Sequence, residues 1–409
     1  MSIRKGCPVT HDHKSSRKPL ERQILSLPQE IKFCKKCVMS NQRPRITFDE
    51  EGVCSACRFS ETKDQGIDWK EREEKLVELL DANRRNDGWF DCIVPGSGGK
   101  DSSYVAHQLK TRYGMHPLHV TWAPLRYTDI GHKNMQGLID SGFNNITGNP
   151  SGKIRRKLAR IAFEQVGDPF LPFIFGQMSF AFHLALRMDI KLVFFGENGE
   201  AEYGGDTKNA FKPGMPLEDW ETSYWKGNTV DDLVRFGLEY TNYLTEDDYD
   251  ESDLVFCRPP AIDDLQAADI SMHWYSYYHR WVPQENYYYV AEHTGFQANP
   301  QRSQGTYSKY ASLDDQLDGL HYYMGLIKFG VGRATSDAAH EIREGHLSRE
   351  EGVALVKKYD AEFPKKHFEE SLEYMGITEE HFWEVVDSFR QPHIWVKEDG
   401  EWRLRKQVS

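Results

Sequence analysis

Between Gly96 and Ser102, in the stretch IVPGSGGKDSS, lie three glycines, a lysine and an acid, directly after a short apolar run. Glycines let backbone N–H groups come close to an anion, and a helix that starts here adds the positive end of its dipole. A phosphate cradle is expected. Two common patterns fail when tested position by position. G-x-x-x-x-G-K-[ST] needs a glycine at Val94 and a hydroxyl at Asp101, and G-x-G-x-x-G needs a glycine at Asp101. The residues present still suit phosphate chemistry. Ser97 and Ser102 offer hydroxyl donors, Lys100 opposes developing negative charge, and Asp101 can cap the helix and orient Mg²⁺.

A second set is cysteine. Cys34, Cys37, Cys54 and Cys57 give C-x2-C-x16-C-x2-C, inside the spacing of a four-thiolate zinc site. The polar, turn-rich span between the pairs is too short to bury a core, so a metal staple is expected, zinc or its competitor an iron–sulfur cluster. Cys7, Cys92 and Cys257 read as unpaired structural thiols.

A third set is acidic. LVFFGENGEAEYGG ends an apolar strand in a loop carrying Glu197, Glu200 and Glu202, and carboxylates there suit Mg²⁺ binding or proton transfer, or else form a solvated loop. Glu197 and Glu202 are the stronger candidates. Further on, Leu313, Leu317, Leu320, Met324 and Ile327 step at helical spacing as a core stripe. Asp314, Asp318 and His321 fall on another face, as an exposed polar face or a substrate site. Gly330 and Gly332 bring backbone close to Lys328 and Arg333, which reads as an anion contact.

The elements that must position these groups follow from pattern. DWKEREEKLVELLDANRRNDG is an amphipathic helix with Trp69, Leu76, Leu79 and Leu80 on one face, ending at Gly88. From Phe90 to Asn198 strands and helices alternate: strands at 91–95, 118–122, near Ile146 and at KLVFFG, and helices from Asp101, at 131–141, 151–165 and 174–188. That alternation predicts an α/β fold, a parallel sheet with helices on both faces. The expected domains are a flexible tail (1–32) with order beginning near Phe33, a zinc knuckle (33–65), a nucleotide-binding domain (66–205), an aromatic-rich insertion (206–283) and a helical region (284–409) closed by a hairpin turning at Asp399–Gly400.

The bulk numbers bound the class. The 409 residues are 39% hydrophobic and 28% charged, with no apolar run near the roughly 20 residues that cross a bilayer. Cytoplasmic residence without membrane insertion is expected. A net charge of −12 argues against a surface built for nucleic acid, while leaving room for a local basic pocket.

SGGKDS, from Ser97 to Ser102, matches the S-G-G-x-D-S signature of the PP-loop ATP pyrophosphatases. The resemblance implies a Rossmann-like PP-loop domain in which Gly96, Ser97, Gly98, Gly99, Lys100, Asp101, Ser102 and Ser103 bind ATP. It also implies cleavage between the α and β phosphates. The knuckle, SGGKDSS, GENGEAEYGG and GTYSKYASLDDQLDGLHYYMGLIKFGVGRATSDAAHEIREGHLSREE together resemble the N-acetyl sugar amidotransferases of bacterial surface-polysaccharide (lipopolysaccharide O-antigen) biosynthesis. That resemblance runs from about Phe33 to about Pro364; the tail before it and the last forty or so residues carry none.

What it implies is conversion of an acetamido group on a nucleotide-linked or nonulosonic sugar to an acetamidino group, with AMP and pyrophosphate as products. Lys100, Asp101, Glu197 and Glu202 would be catalytic, and Lys328, Arg333, Asp314 and Asp318 would meet the anionic sugar. ATP, Mg²⁺ and Zn²⁺ would be bound. Ammonia would come from a separate glutaminase subunit, since Cys7, Cys92 and Cys257 lie in no G-x-C-x-G elbow and none is at the mature N-terminus. The competing reading is a tRNA-modifying PP-loop enzyme, a thiolase or lysidine synthase; against it stand the acidic balance and the lack of a basic tract beyond KIRRKLAR. A non-catalytic scaffold that retained the loop is the other, and the intact Lys100–Asp101–Ser102 set speaks against it.

Overall fold

The computed structural model of the chain describes residues 19–220 and 225–409; residues 1–18, with Cys7 and much of the expected tail, lie outside them. Helices α1 (Ser55–Gln65) and α2 (Trp69–Asn83) lead into strand β1 (Cys92–Pro95), which runs through the Gly96–Gly99 turn into α3 (Lys100–Thr111). There follow β2 (Pro117–Trp122), α4 (Asp129–Asp140), β3 (Asn145–Gly148), α5 (Gly152–Val166), α6 (Leu171–Met188), β4 (Leu192–Phe195) and the short α7 (Gly199–Tyr203).

With a fifth strand, β5 (Ser271–Trp274), the sheet has the order β3-β2-β1-β4-β5, every pair parallel. Its central strands are buried on both faces, which is why they read as continuous apolar runs. Period-2 alternation divides them between two cores. Cys92 and Val94 pack with Leu76 and Leu80 of α2 and Leu109 of α3, while Ile93 joins Ile154, Phe163 and Phe182 of α5 and α6. The chain moves from the β3 edge back to β4 beside β1, so the strand order reverses between β1 and β4. A crevice opens there at the carboxyl ends, where open α/β sheets bind ligands.

Four expectations change. β5 (Ser271–Trp274) pairs with β4 in register Leu192↔Ser271, so the stretch set apart as an aromatic insertion supplies the fifth strand. Order does not wait for Phe33, because Leu20, Leu27 and Ile31 join the main core, and sparse apolar residues without a period gave no signal of it. Helix α2 ends at Asn83 rather than Gly88: Arg84 turns extended (φ −67°, ψ 124°), and Gly88 lies in the turn beyond, with φ +80°. The leucine stripe is buried throughout, but Leu313 and Leu317 precede the helix.

The last part is largely helical: α8 (Pro283–His293), α9 (Asp318–Phe329), α10 (Arg333–Arg343), α11 (Arg349–Tyr359), α12 (Phe368–Met375) and α13 (Glu379–Ser388). It ends in the hairpin β6 (Trp395–Glu398) and β7 (Glu401–Leu404), turning at Asp399 and Gly400, both at positive φ as a type I′ turn requires. Among the described residues no single helix is long and apolar enough to cross a membrane.

Candidate active site

β1 delivers the glycine loop to the switch point. A Cβ on Gly96 would fall 2.1 Å from Ser102 Oγ, and one on Gly98 (φ +76°) would fall 2.8 Å from Met135 Cα, so the turn admits no side chain at either position. Gly99 is the N-cap of α3 and no side chain caps that helix. Its first-turn N–H groups therefore face the loop with the dipole behind them, the geometry of an anion site. Behind the loop, His119 Nε2 lies 3.4 Å from Ser102 Oγ, and burial pushes the imidazole down to about 4, keeping it neutral.

Lys100 is 7% exposed and its Nζ lies 2.5 Å from Asp101 Oδ2, while Asp101 Oδ1 is buried with no partner. β4 ends opposite: a Cβ on Gly196 would stand 3.6 Å from Asp101 Cβ, and Glu197 follows. Burial and the nearby Asp101 push the Glu197 carboxyl up to about 7 against the pull of Lys100. A carboxylate that binds protons near neutrality, in a crevice beside a lysine and an aspartate, is suited to proton transfer.

Glu202 faces elsewhere. Lys63 Nζ lies 2.9 Å from Glu202 Oε2 and 3.0 Å from Glu344 Oε1, and donates to the Trp281 carbonyl at 3.4 Å. The oxygens of Glu202 and Glu344 and a ring nitrogen of His340 converge closely enough to suggest a metal site, but the Lys63 ammonium already lies between the carboxylates. It is a buried ion-pair network set beside the Lys100–Glu197 group. Glu200 is occupied too, accepting 2.9 and 2.6 Å hydrogen bonds from Arg45.

The segment before α9 lies over the loop. Asp314 accepts a hydrogen bond from Ser97, and burial, with Asp318 nearby, pushes it up to about 6. A Cβ on Gly131 would meet Asp314 Cα at 2.6 Å, and Thr128 N–H donates to the Asp314 carbonyl at 3.0 Å, so α4 clamps this segment. Asp318 is buried and raised by that burial. Arg333 donates to Ser312 Oγ at 3.0 Å, pairs with Asp337 at 3.1 Å and lies 4.1 Å from the Tyr322 ring centroid. Asp360 accepts from Gly332 N–H (3.0 Å) and Thr335 N–H (2.8 Å), fixing the start of α10 and so Arg333. Ser312, Asp318, Tyr322, Arg333 and Lys366 line a cavity of about 430 Å³, the size of small-molecule sites. The buried Nδ1 of His367, a residue of the same cavity wall, has no partner.

Lys328 is not part of this group. It is 1% exposed, ion-paired with Glu21, and donates to the Val166 carbonyl at 2.6 Å. The glycines beside it serve a helix end, since Gly330 is the left-handed C-cap of α9. Sequence reasoning missed Lys63, His340 and Asp360; the partners of Lys63 and Asp360 lie far along the chain, and no local pattern marks His340.

The four cysteines converge as expected. Cys34 and Cys57 Sγ are 3.8 Å apart and Cys37 and Cys54 Sγ 3.7 Å apart. Four sulfurs about 2.3 Å from one tetrahedral zinc lie about 3.8 Å from each other, so the spacing fits zinc. N–H groups of Lys36 and Met39 donate to sulfur at 3.4 Å, and the other thiols push Cys34 well below the ordinary thiol range, toward thiolate. Ala338 and Ala339 of α10 pack on this knuckle, and Arg343 lies beside its sulfurs.

Residues 304–409 match a family model described as LPS biosynthesis protein WbpG-like, C-terminal domain. No curated protein matches the chain. The matched segment holds Asp314, Asp318, Arg333 and His340 and runs through the terminal hairpin, beyond the reach of the resemblance noted in the sequence; the glycine loop and cysteines lie outside it. This similarity supports a role in the biosynthesis of surface polysaccharide.

Proposed function

We propose that the chain is an ATP-dependent amidotransferase of lipopolysaccharide biosynthesis. It converts the acetamido group of an anionic, nucleotide-linked or nonulosonic sugar to an acetamidino group. The observation that carries this reading is the convergence at one switch point of an uncapped helix behind a glycine cradle, the Lys100–Asp101 pair and Glu197.

On this reading residues 33–65 are the zinc knuckle, 66–205 with β5 bind nucleotide, and 284–409 cover the loop and supply the sugar cavity. The cradle and Lys100 hold the β and γ phosphates of ATP. Asp101 Oδ1 is the free oxygen that would reach Mg²⁺, whose charge would offset that of the phosphates.

The amide carbon is a weak electrophile until its oxygen is a good leaving group. The amide oxygen attacks the α-phosphorus, the bond to the bridging oxygen breaks, and pyrophosphate stays in the cradle while Lys100 opposes its charge. Ammonia then adds to the activated carbon, Glu197 takes a proton from the added nitrogen, and AMP departs with the former amide oxygen. Arg333 meets the anionic sugar, whereas Asp314 and Asp318 position hydroxyls. Ammonia is supplied by a separate glutaminase chain.

The test is incubation with ATP, Mg²⁺, ammonium and a panel of acetamido sugars. One sugar should become lighter by about one mass unit as oxygen is replaced by NH, with AMP and pyrophosphate formed in step. ATP turnover that leaves every sugar's mass unchanged would refute the reading.

A further inference from the structure

Glu197 stands between the end of β4 and the start of α7, a helix of only five residues. So short a helix has little stability of its own, and its position depends on what holds it. Three cations of the cysteine-bearing segment do so. Arg45 meets Glu200 with Nε at 2.9 Å and Nη2 at 2.6 Å, Lys63 Nζ lies 2.9 Å from Glu202 Oε2, and Arg43 Nε donates to the Gly204 carbonyl at 2.5 Å. Arg43 and Arg45 lie in the span between Cys37 and Cys54, and Lys63 lies on α1, whose first turn carries Cys57. A Cβ on Gly204 would fall 2.8 Å from Ile46 Cδ1, so the end of α7 rests directly on the same span.

Glu200 is 8% exposed and also accepts the Asp206 N–H at 2.7 Å, so Arg45 and the loop's own backbone close around one carboxylate. Arg45 is held at φ +64°, a left-handed conformation that costs free energy for a residue with a large side chain and persists where the surroundings fix it. Its guanidinium forms a two-bond fork on Glu200 that a lysine cannot reproduce. Arg58 provides the contrast. It pairs with Asp49 at 2.6 Å and Glu61 at 2.8 Å, inside the knuckle itself.

We propose that the knuckle is the clamp of the loop that carries Glu197, with Arg45 as a positioning residue that fixes α7 through Glu200 and thereby holds Glu197 at the crevice. The acids of GENGEAEYGG then have separate roles: Glu197 meets the reacting atoms, while Glu200 and Glu202 anchor the loop. The catalytic consequence rests on the amidotransferase reading; the clamp does not.

Hydrogen exchange and kinetics test the two parts. Arg45→Met and Glu200→Leu cut the same contact from either side. In both, the amides of Ala201 and Glu202, which donate to the Asn198 carbonyl, should exchange about tenfold faster or more, with zinc content unchanged. The kcat for amidation should fall about 10- to 100-fold, as for a catalytic group displaced by about 1 Å, with the KM values for ATP and sugar within about twofold. The double variant should be no worse than either single one, and Arg45→Lys, which keeps the charge without the fork, should lose less.

The pH profile gives a signature that a merely structural role would not. Lys100 and Asp101 of α3 and Glu202 and Tyr203 of α7 are the charged and titratable groups around Glu197, whose buried carboxyl is raised from 4.5 to about 7. Released toward water, it should move back toward 4.5, so the acid limb of kcat should shift to lower pH. Arg58→Met should leave the loop amides and kcat within about twofold of the parent. Unchanged exchange at Ala201 and Glu202 in both Arg45→Met and Glu200→Leu would overturn the clamp. Faster exchange with kcat and the acid limb unmoved would overturn the positioning role. Absence of amidation by the unaltered chain with every sugar would instead bring down the amidotransferase reading, and the exchange measurement would still decide the clamp.

Discussion

Replacing Glu197 with Gln should make the protein more stable and inactive at once. Burial and the neighbouring Asp101 raise this carboxyl from 4.5 to about 7. A raised folded-state pKa means that the protonated form is favoured by folding, so that stability is fully present below about pH 4.5 and is lost as pH rises through about 7. At pH 8 the native protein carries the charge at a cost of about 3 kcal/mol, the free-energy equivalent of moving the carboxyl from 4.5 to about 7. Gln mimics the neutral acid at every pH. Glu197→Gln should therefore match the parent near pH 4.5 and exceed it at pH 8 by about 3 kcal/mol, which over 409 residues is about 3–4 °C in Tm. Calorimetry at the two pH values, alongside amidation rates, checks both halves. Equal or lower stability of Glu197→Gln at pH 8 would refute the reasoning, because it would mean that partners hold the carboxylate charged.

Other outcomes follow from the same geometry. Lys328→Met should cost about 3–5 kcal/mol in denaturant titration, because it strands the buried Glu21 carboxylate, with no change in KM for sugar. Adding Glu21→Leu to Lys328→Met should recover much of that loss. Arg333→Met should raise the sugar KM by about 10- to 100-fold, as loss of a charge-assisted contact of about 1.5–3 kcal/mol would, leaving the KM for ATP nearly unchanged. Metal analysis should find one zinc per chain, and Cys34→Ser or a strong chelator should unfold the knuckle, since structural zinc contributes of order 10 kcal/mol; stoichiometric iron with sulfide would contradict the zinc assignment.

The parts legible in the sequence were those carried by local pattern. The order of elements from β1 to β4 follows from apolar runs alternating with amphipathic ones. The cysteine spacing is a local constraint that geometry then satisfies. β5 was hidden because SMHW, though it alternates polar and apolar, is only four residues long and runs straight into other aromatics, so the alternation stops before it can mark a strand. Lys63 gave no sign of its role because Glu202 and Glu344, its partners, lie 139 and 281 residues away. Lys328 was misread for the converse reason, since a cation between glycines resembles an anion contact until Glu21 is found beneath it. Glu197 and Glu202 look equivalent in the sequence. A short helical turn points one at Asp101 and the other at Lys63, a distinction that exists only once α1 and α10 have packed on α7.

The most direct test of the central claim is the fate of the amide oxygen. An acetamido sugar labelled with ¹⁸O in its carbonyl, turned over with ATP and ammonium and followed by ³¹P NMR, should place the label in the phosphate of AMP with unlabelled pyrophosphate alongside. Label in inorganic phosphate with ADP as the nucleotide product would show activation by phosphorylation instead, and would contradict the assignment of the glycine loop as a pyrophosphate grip.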